Sequence, residues 1–128
     1  MASMPAPALQ PRVDQLPPVD LDRMRTHAED AATLLRSVGN PQRLLILCEL
    51  VEAEAGVGEL LQRLELSQSA LSQHLSMLRA QNLVTTRRDA QTIYYSCASE
   101  PVLKVLDTLK EIYREDTDSA QPLKQLRA

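Results

Sequence analysis

The spacing of apolar residues changes near residue 83 of this chain, from a period of 3.6 to a period of 2. Before that point apolar residues recur every three or four positions. Residues 83–88 and 92–97 are instead rich in β-branched and aromatic side chains and are separated by Asp89, Ala90 and Gln91. The first spacing is typical of amphipathic helices and the second of paired strands. The sequence therefore predicts a mainly α-helical domain that carries one β-hairpin.

Capping residues predict the limits of the first two helices. Asp20 is a candidate N-cap for a helix that ends at Gly39. Asn40 followed by Pro41 combines an N-cap with a proline at the first helical position, and this second helix is predicted to end before Gly56. Its predicted buried face consists of Leu44, Leu47, Cys48 and Val51.

Three further helices are predicted, two before the hairpin and one after it. The third covers residues 58–64, with Leu60, Leu61 and Leu64 facing inward. Ser67 is the predicted N-cap of the fourth helix, which runs to about residue 80. The last helix begins at Pro101 and continues to about residue 114. Its predicted apolar side consists of Val102, Val105, Leu106, Leu109, Ile112 and Tyr113.

Composition divides the 128 residues into a domain and two tails. Residues 1–19 are rich in proline and predict a disordered arm, residues 20–114 predict the folded domain, and residues 115–128 predict a flexible polar tail. No apolar run approaches the roughly 20 residues needed to cross a bilayer, and the start of the chain has no secretory pattern. We expect a cytoplasmic protein whose two cysteines, Cys48 and Cys97, remain thiols.

The predicted order of elements, α-α-α-α-β-β-α, is that of a winged helix-turn-helix domain, in which the helix after the turn enters the DNA major groove. At 100° per residue, Leu71, Leu75 and Leu78 share one face of the fourth helix. The opposite face consists of Ser69, Ser72, Gln73 and Ser76. Although the whole chain has a net charge of −3, residues 67–98 carry three arginines against one aspartate, a balance of +2. This segment is the predicted DNA-binding surface.

Each candidate contact has a chemical reason. Gln73 has the amide geometry that pairs with adenine, the start of the fourth helix offers free N–H groups to phosphate, and arginines at the hairpin tip reach the backbone or minor groove. The predicted set is Ser67, Gln68, Ser69, Ser72, Gln73, His74, Arg87, Arg88 and Gln91. His74 fits equally a phosphate donor and a satisfied residue at the edge of the core. A protein-interaction module without DNA binding remains the alternative, whereas an enzyme lacks support because no catalytic residue set is recognised.

Several segments resemble the ArsR family of winged-helix repressors. They run from Asn40 to Leu44, from Val57 to Leu60, from Leu66 to Leu75 and from Ile93 to Ser96. The resemblance covers roughly residues 21–114. It implies a homodimer paired through the first and last helices, which binds an inverted-repeat operator in double-stranded DNA and releases it when an inducer is sensed.

The resemblance also bears on the inducer. The cysteines of the arsenic-type site and the histidines of the zinc-type site are missing from the corresponding segments, so we expect no metal and no other cofactor. A sulfide- or persulfide-responsive subgroup carries a cysteine in the setting found here from Leu44 to Leu50, where Cys48 lies. Its second cysteine is replaced here by Arg114.

The sensing thiols therefore predicted are Cys48 and, as a possible substitute for the missing partner, Cys97. Core roles remain open for both cysteines, because a free cysteine also behaves as a small buried apolar residue. A metalloid or another non-thiol inducer is the alternative signal.

Overall fold

The computed structural model describes residues 18–114. The predictions of a disordered arm and a flexible tail therefore concern residues that lie outside the described part, apart from Pro18 and Val19. The chain divides into two compact units, and the boundary at residues 32 and 33 falls inside the first helix, α1 (Leu21–Val38).

The described part of the first unit, residues 18–32, holds the start of α1. Asp20 is its N-cap, as predicted, and Asp20 Oδ1 accepts a hydrogen bond from the Arg23 N–H at 3.2 Å. Leu21 and Met24 belong to the apolar positions of this helix, yet they are 59% and 46% exposed. This unit therefore presents apolar side chains to solvent in the isolated chain.

The second unit contains the end of α1, four further helices and one antiparallel hairpin, in the predicted order. These elements are α2 (Pro41–Glu52), α3 (Val57–Arg63), α4 (Gln68–Ala80), β1 (Thr85–Asp89), β2 (Thr92–Ser96) and α5 (Glu100–Ile112). No helix in residues 18–114 is both long enough and apolar enough to span a bilayer.

Asn40 and Arg43 join the end of α1 to the start of α2. Asn40 Oδ1 accepts the N–H groups of Gln42 and Arg43, at 2.9 and 3.1 Å, as its predicted N-cap role requires. The Arg43 guanidinium donates to the carbonyl oxygens of Ser37 at 2.7 Å and Arg36 at 2.9 Å. Because these carbonyls belong to the last turn of α1, Arg43 satisfies groups that the helix itself leaves unpaired.

The core of the second unit lies among α2, α3, α4 and α5. Leu60 from α3 is fully buried, and so are the three predicted residues of α4. The buried apolar residues are Val38, Ile46, Leu47, Leu50, Ala55, Leu60, Leu71, Leu75, Leu78, Leu83, Val84, Cys97 and Val102.

The predicted buried face of α2 is wrong for Cys48, which is exposed. Leu47 is fully buried, and Leu44 and Val51 are partly buried and pack against the core. The helix is apolar on nearly all sides between residues 44 and 47, so the sequence pattern does not define a unique inward face. The fully buried residues are Ile46, Leu47 and Leu50.

The hairpin is shorter than predicted and its turn is tighter. Asp89 pairs with Thr92, so that only Ala90 and Gln91 form the turn instead of three residues. Ala90 has φ of 58°, in the left-handed region that two-residue hairpin turns require. Residues 89–91 contain no glycine that would mark a two-residue turn, so the sequence does not show that Asp89 belongs to the strand.

The apolar residues of β2 and α5 are buried to different extents. Cys97 is 6% exposed and Tyr95 is partly buried, but Ile93 near the hairpin tip is 36% exposed because it extends beyond the core. In α5, which begins one residue before Pro101, only Val102 is fully buried. Ile112 and Tyr113 are exposed, and the remaining predicted residues, Val105, Leu106 and Leu109, are partly buried.

Candidate DNA-binding interface

Buried leucines determine the rotation of α4 about its own axis. Leu71, Leu75 and Leu78 are at most 1% exposed, and they anchor one side of α4 in the core that also contains Leu60 of α3. The opposite side is therefore held toward solvent. It carries the exposed side chains of Ser69, Ser72, Gln73 and Ser76, as the helical spacing predicted.

Ser67 caps the solvent-facing start of α4. Its Oγ accepts the N–H of Ala70 at 3.1 Å and lies 3.4 Å from the hydroxyl of Ser69. Since the first four N–H groups of a helix have no partner within it, the remaining ones here are available to an anion. Gln68 lies exposed in the same first turn.

Within the described residues, the side chains of Ser72 and Gln73 make no hydrogen bond to the rest of the chain, and both are exposed. Polar groups in this situation bind water in the free protein. They can exchange that water for base edges or phosphate oxygens without breaking any internal contact.

His74 lies at the edge of the core and is partly buried. Its Nε2–H donates to Gln42 Oε1 at 2.9 Å, which links α4 to the start of α2. Burial lowers the pKa of the His74 imidazole, and the nearby charge of Arg43 lowers it further. The contact supports the interpretation of His74 as a satisfied boundary residue, while its contact with phosphate stays a prediction.

The two wing arginines differ in their surroundings. Arg87 Nε–H donates to Glu54 Oε1 at 2.9 Å, its Nη2 group donates to Glu54 Oε2, and its guanidinium lies 4.8 Å from the ring centre of Tyr94. Arg88 is exposed and has no ion-pair partner in the part of the chain that the structure describes. Gln91 in the turn is exposed as well.

The two cysteines lie in different environments. Cys48 is exposed on α2, whereas Cys97 is buried in the core, and neither forms a disulfide. The Cys97 N–H donates to the Leu50 carbonyl at 3.3 Å, so the residue that follows β2 is attached to α2. The structure does not bring the two thiols together as a bonded pair.

Both thiols are harder to ionise than a free cysteine. Desolvation by neighbouring atoms raises the pKa of Cys48 although part of its surface is open, and the carboxylates of Glu49 and Glu52 raise it further. Burial raises the pKa of Cys97, partly offset by a hydrogen bond with the Ser99 backbone. A small thiolate fraction at neutral pH makes both thiols slow nucleophiles.

Sequence reasoning missed the segment between α2 and α3. Ala55 and Tyr95 form an isolated β-bridge through two backbone hydrogen bonds. The Ala55 N lies 3.0 Å from the Tyr95 carbonyl oxygen, and the Tyr95 N lies 2.8 Å from the Ala55 carbonyl oxygen. Glu54 beside it pairs with Arg87. No local pattern in residues 53–56 indicates strand pairing. Within the hairpin, by contrast, Tyr94 is the cross-strand partner of Arg87.

Residues 18–114 contain no group of three or more His, Cys, Asp or Glu side chains placed to hold a metal ion.

Comparison with known proteins extends these observations. Residues 40–86 match the model of the bacterial regulatory protein, arsR family. The nodulation protein NolR of Rhizobium meliloti is 62% identical over 94 residues, which cover 73% of this chain and 77% of NolR. HlyU of Vibrio cholerae, named a transcriptional activator, is 47% identical over 96 residues, 75% of this chain and 89% of HlyU.

Solved structures of related regulators agree with the fold. Reduced HlyU from Vibrio cholerae has a TM-score of 0.66 and 47% identity, covering 71% of this chain and 96% of that one. The transcriptional repressor BigR from Xylella fastidiosa has a TM-score of 0.70 and 35% identity, covering 74% of this chain and 97% of that one. These relatives are transcriptional regulators, and their winged-helix fold confirms the predicted fold class. The chain therefore belongs to the ArsR family and is a DNA-binding transcriptional regulator.

Proposed function

We propose that this regulator is a homodimeric repressor that reads an inverted repeat with α4 and releases it when a thiol-reactive signal modifies Cys48. The observation that carries the DNA-reading part is the exposed polar face of α4. Its side chains at Ser72 and Gln73 have no partner in the described chain, and the buried leucines behind them hold the face outward. Such a face binds a groove without reorganising the protein.

The proposed contacts follow from these positions. Gln73 pairs with a base edge, adenine being the partner that suits its amide, and the start of α4 binds phosphate. Arg88 and Gln91 reach the DNA backbone from the wing. For Arg87, whose Nε and Nη2 groups already bind Glu54, the contact with DNA stays a prediction. The proposed DNA-contacting residues are Ser67, Gln68, Ser69, Ser72, Gln73, His74, Arg88 and Gln91.

Base readout is tested by fluorescence anisotropy on a duplex from upstream of the protein's own coding sequence. Gln73→Ala should weaken binding of the dimer about 30- to 10,000-fold and relax specificity at one base pair of each half-site, because one bidentate contact per protomer is lost. Gln81→Ala, an exposed position just after α4, is the matched control and should bind like the wild type. Equal effects of the two variants would contradict a reading role for the face.

Exposed apolar side chains support the dimer. In α5, Leu103 is 38% exposed, and in α1, Leu35 is 60% exposed. Large apolar side chains that stay exposed in one chain are typical of protein interfaces. Pairing through the first and last helices would cover them and would match the two halves of an inverted repeat.

Sedimentation equilibrium tests the dimer. The wild type should sediment at twice the 14.3 kDa chain mass. Leu103→Glu should shift it toward the monomer because a charge would be buried in the interface. Thr108→Glu, elsewhere on α5, should remain dimeric. A monomeric wild type at micromolar concentration would contradict the proposal.

Accessibility supports Cys48 as the sensing thiol. Cys48 is exposed and Cys97 is buried, so a reagent in solution reaches Cys48 first. The Cys48 thiolate would attack one sulfur of an organic trisulfide, forming a mixed disulfide and releasing the remaining persulfide anion. Because its pKa is raised, this reaction is expected to be slow at neutral pH and faster as the pH increases. A sensing role for Cys97 stays a prediction, as does the cytoplasmic location.

The sensing step is tested by the same anisotropy assay with reduced and trisulfide-treated protein. Treatment should release the wild type and Cys97→Ser from DNA but leave Cys48→Ser bound. If the wild type binds DNA and treatment changes nothing, the signal is a metalloid or another non-thiol inducer. If the protein shows no salt-dependent affinity for DNA, the interaction-module alternative replaces the proposed function.

A further inference from the structure

We propose that Arg87 is a positioning residue that clamps the wing to the loop between α2 and α3 through Glu54, and that it keeps this partner when the protein binds DNA. The inference rests on the proposed function in one respect, namely that the wing approaches DNA. It assigns different roles to the adjacent arginines of β1, since Arg88 remains the contact with phosphate.

The first argument is that two of the three guanidinium nitrogens of Arg87 already donate hydrogen bonds to Glu54. Its Nε and Nη2 groups bind both carboxylate oxygens of Glu54, and its Nη1 group lies 3.9 Å from Asp89 Oδ2. Its guanidinium carbon lies over the ring of Tyr94, 4.8 Å from the ring centre, and Tyr94 is the cross-strand partner of Arg87 in the hairpin register. A bidentate contact of Nε and Nη2 with a phosphate would require breaking the pair with Glu54, whereas Arg88 has no such pair in the described chain.

The second argument is that the same place already carries a backbone connection. Ala55, the neighbour of Glu54, pairs with Tyr95, the neighbour of Tyr94, through two backbone hydrogen bonds of 3.0 and 2.8 Å. Ala55 is fully buried at this bridge. The bridge attaches the backbone of β2 to the loop, and the Glu54–Arg87 pair attaches β1 to the same loop through the side chain of Arg87. Together they attach both strands of the wing to one loop.

The third argument comes from geometry and chemistry at Arg87. A bidentate pair combined with stacking on an aromatic ring requires the planar fork of arginine, which lysine does not reproduce. A phosphate contact requires only a positive charge and tolerates lysine better. Arg87→Lys therefore separates the two roles while leaving the net charge of the protein unchanged.

The clamp is tested directly by NMR of the Arg87 Nε–H group in the full-length protein. The signal of this group is assigned by its absence from the spectrum of Arg87→Lys. The signal should be protected from exchange in the free protein, lose its protection in Glu54→Gln, and remain protected in the complex with the upstream duplex. Loss of protection on DNA binding would overturn the inference, because Arg87 would then leave Glu54 for DNA.

Salt-dependent anisotropy gives the second readout. Arg88→Gln should reduce the slope of log K against log salt by about 1.8, because each protomer of the dimer loses one phosphate contact, whereas Arg87→Gln should leave that slope unchanged. Arg87→Lys should weaken binding about fivefold, and this effect should disappear in the Glu54→Gln background. A slope reduced equally by Arg87→Gln, with wild-type affinity for Arg87→Lys, would overturn the inference.

The two readouts also separate this inference from the proposed function. An unchanged slope in Arg88→Gln would contradict a wing contact with phosphate. In that case the NMR signal of Arg87 in the complex still decides whether the clamp exists.

Discussion

Helix α4 and the wing lie on the same unit of this protein, but different forces hold them. Three leucines of α4 are almost completely buried, so the helix is fixed by apolar packing. The strands of the wing expose most of their residues, and an ion pair, a cation–π contact and one backbone bridge attach them to the neighbouring loop. Burial of apolar side chains is worth far more than contacts between exposed charges.

This difference in the forces that hold α4 and the wing suits the two regions to different tasks. A helix that reads bases must keep its side chains in one register, and apolar packing provides that rigidity. A wing that follows a phosphate backbone needs only an approximate position, and a few polar contacts provide it without preventing adjustment. Substitutions in the two regions should therefore differ in size and in kind.

The largest effect is expected from removing a leucine of α4. Leu75→Ala should lower the free energy of unfolding by about 2–5 kcal/mol, because it leaves a cavity beneath the helix. Leu45→Ala, at a position 49% exposed on α2, is the control and should cost less than half as much. Urea unfolding at one protein concentration measures both, and equal losses would contradict the role assigned to packing under α4.

Removing the cap of α4 should have an intermediate effect. Ser67→Ala should lower the free energy of unfolding by about 1 kcal/mol, since the Ala70 N–H loses its acceptor. Ser72→Ala, an exposed change within the same helix, should be neutral in the same urea titration. A neutral result for Ser67→Ala would show that packing alone holds the start of α4.

A substitution in the turn of the wing should change stability by a smaller amount. Ala90→Gly should stabilise the hairpin by about 0.5–1 kcal/mol because Ala90 adopts φ of 58°, which a glycine adopts without strain. Slower amide exchange in β1 and β2 would reveal the change. Ala53→Gly, at an extended position with φ of −162°, should not stabilise the protein, so a gain of the same size there would contradict the explanation.

The smallest expected effect concerns pH and the link between α4 and α2. Because the pKa of His74 is lowered in the folded protein, the unfolded chain binds a proton at this residue more readily. The contribution of His74 to stability should therefore fall as the pH decreases below about 6.5. Melting temperatures of the wild type and His74→Gln, measured from pH 8 to pH 5, should converge at the acidic end. Parallel curves would contradict a lowered pKa.

Much of the fold was predictable because the signals are local. Asp20, Asn40 and Ser67 act as caps in the structure as their sequence context indicates, and each makes its hydrogen bond within three residues. The polar and apolar faces of α4 follow from helical spacing alone. The order of helices and strands, and with it the winged-helix fold, follows from these local features.

The candidate site was predictable only in part. The exposure of Ser72 and Gln73 agrees with the sequence, but the surroundings of the wing arginines do not follow from it. Arg87 and Arg88 are adjacent and chemically identical, and no local pattern indicates that Glu54, 33 residues away, pairs with Arg87. The environments of Cys48 and Cys97 were likewise undecided, because both lie in segments with apolar neighbours.

The sequence by itself determined the N-caps of α1, α2 and α4, the inward face of α4 and the approximate position of the hairpin. Caps and periodicity act over a few residues, so their effect does not depend on the rest of the chain. Only the tertiary structure decided which side of the apolar helix α2 is buried, and hence that Cys48 is exposed while Cys97 is enclosed. It also decided that Glu54 meets Arg87. Those outcomes depend on how distant segments pack together, and no local pattern encodes that arrangement.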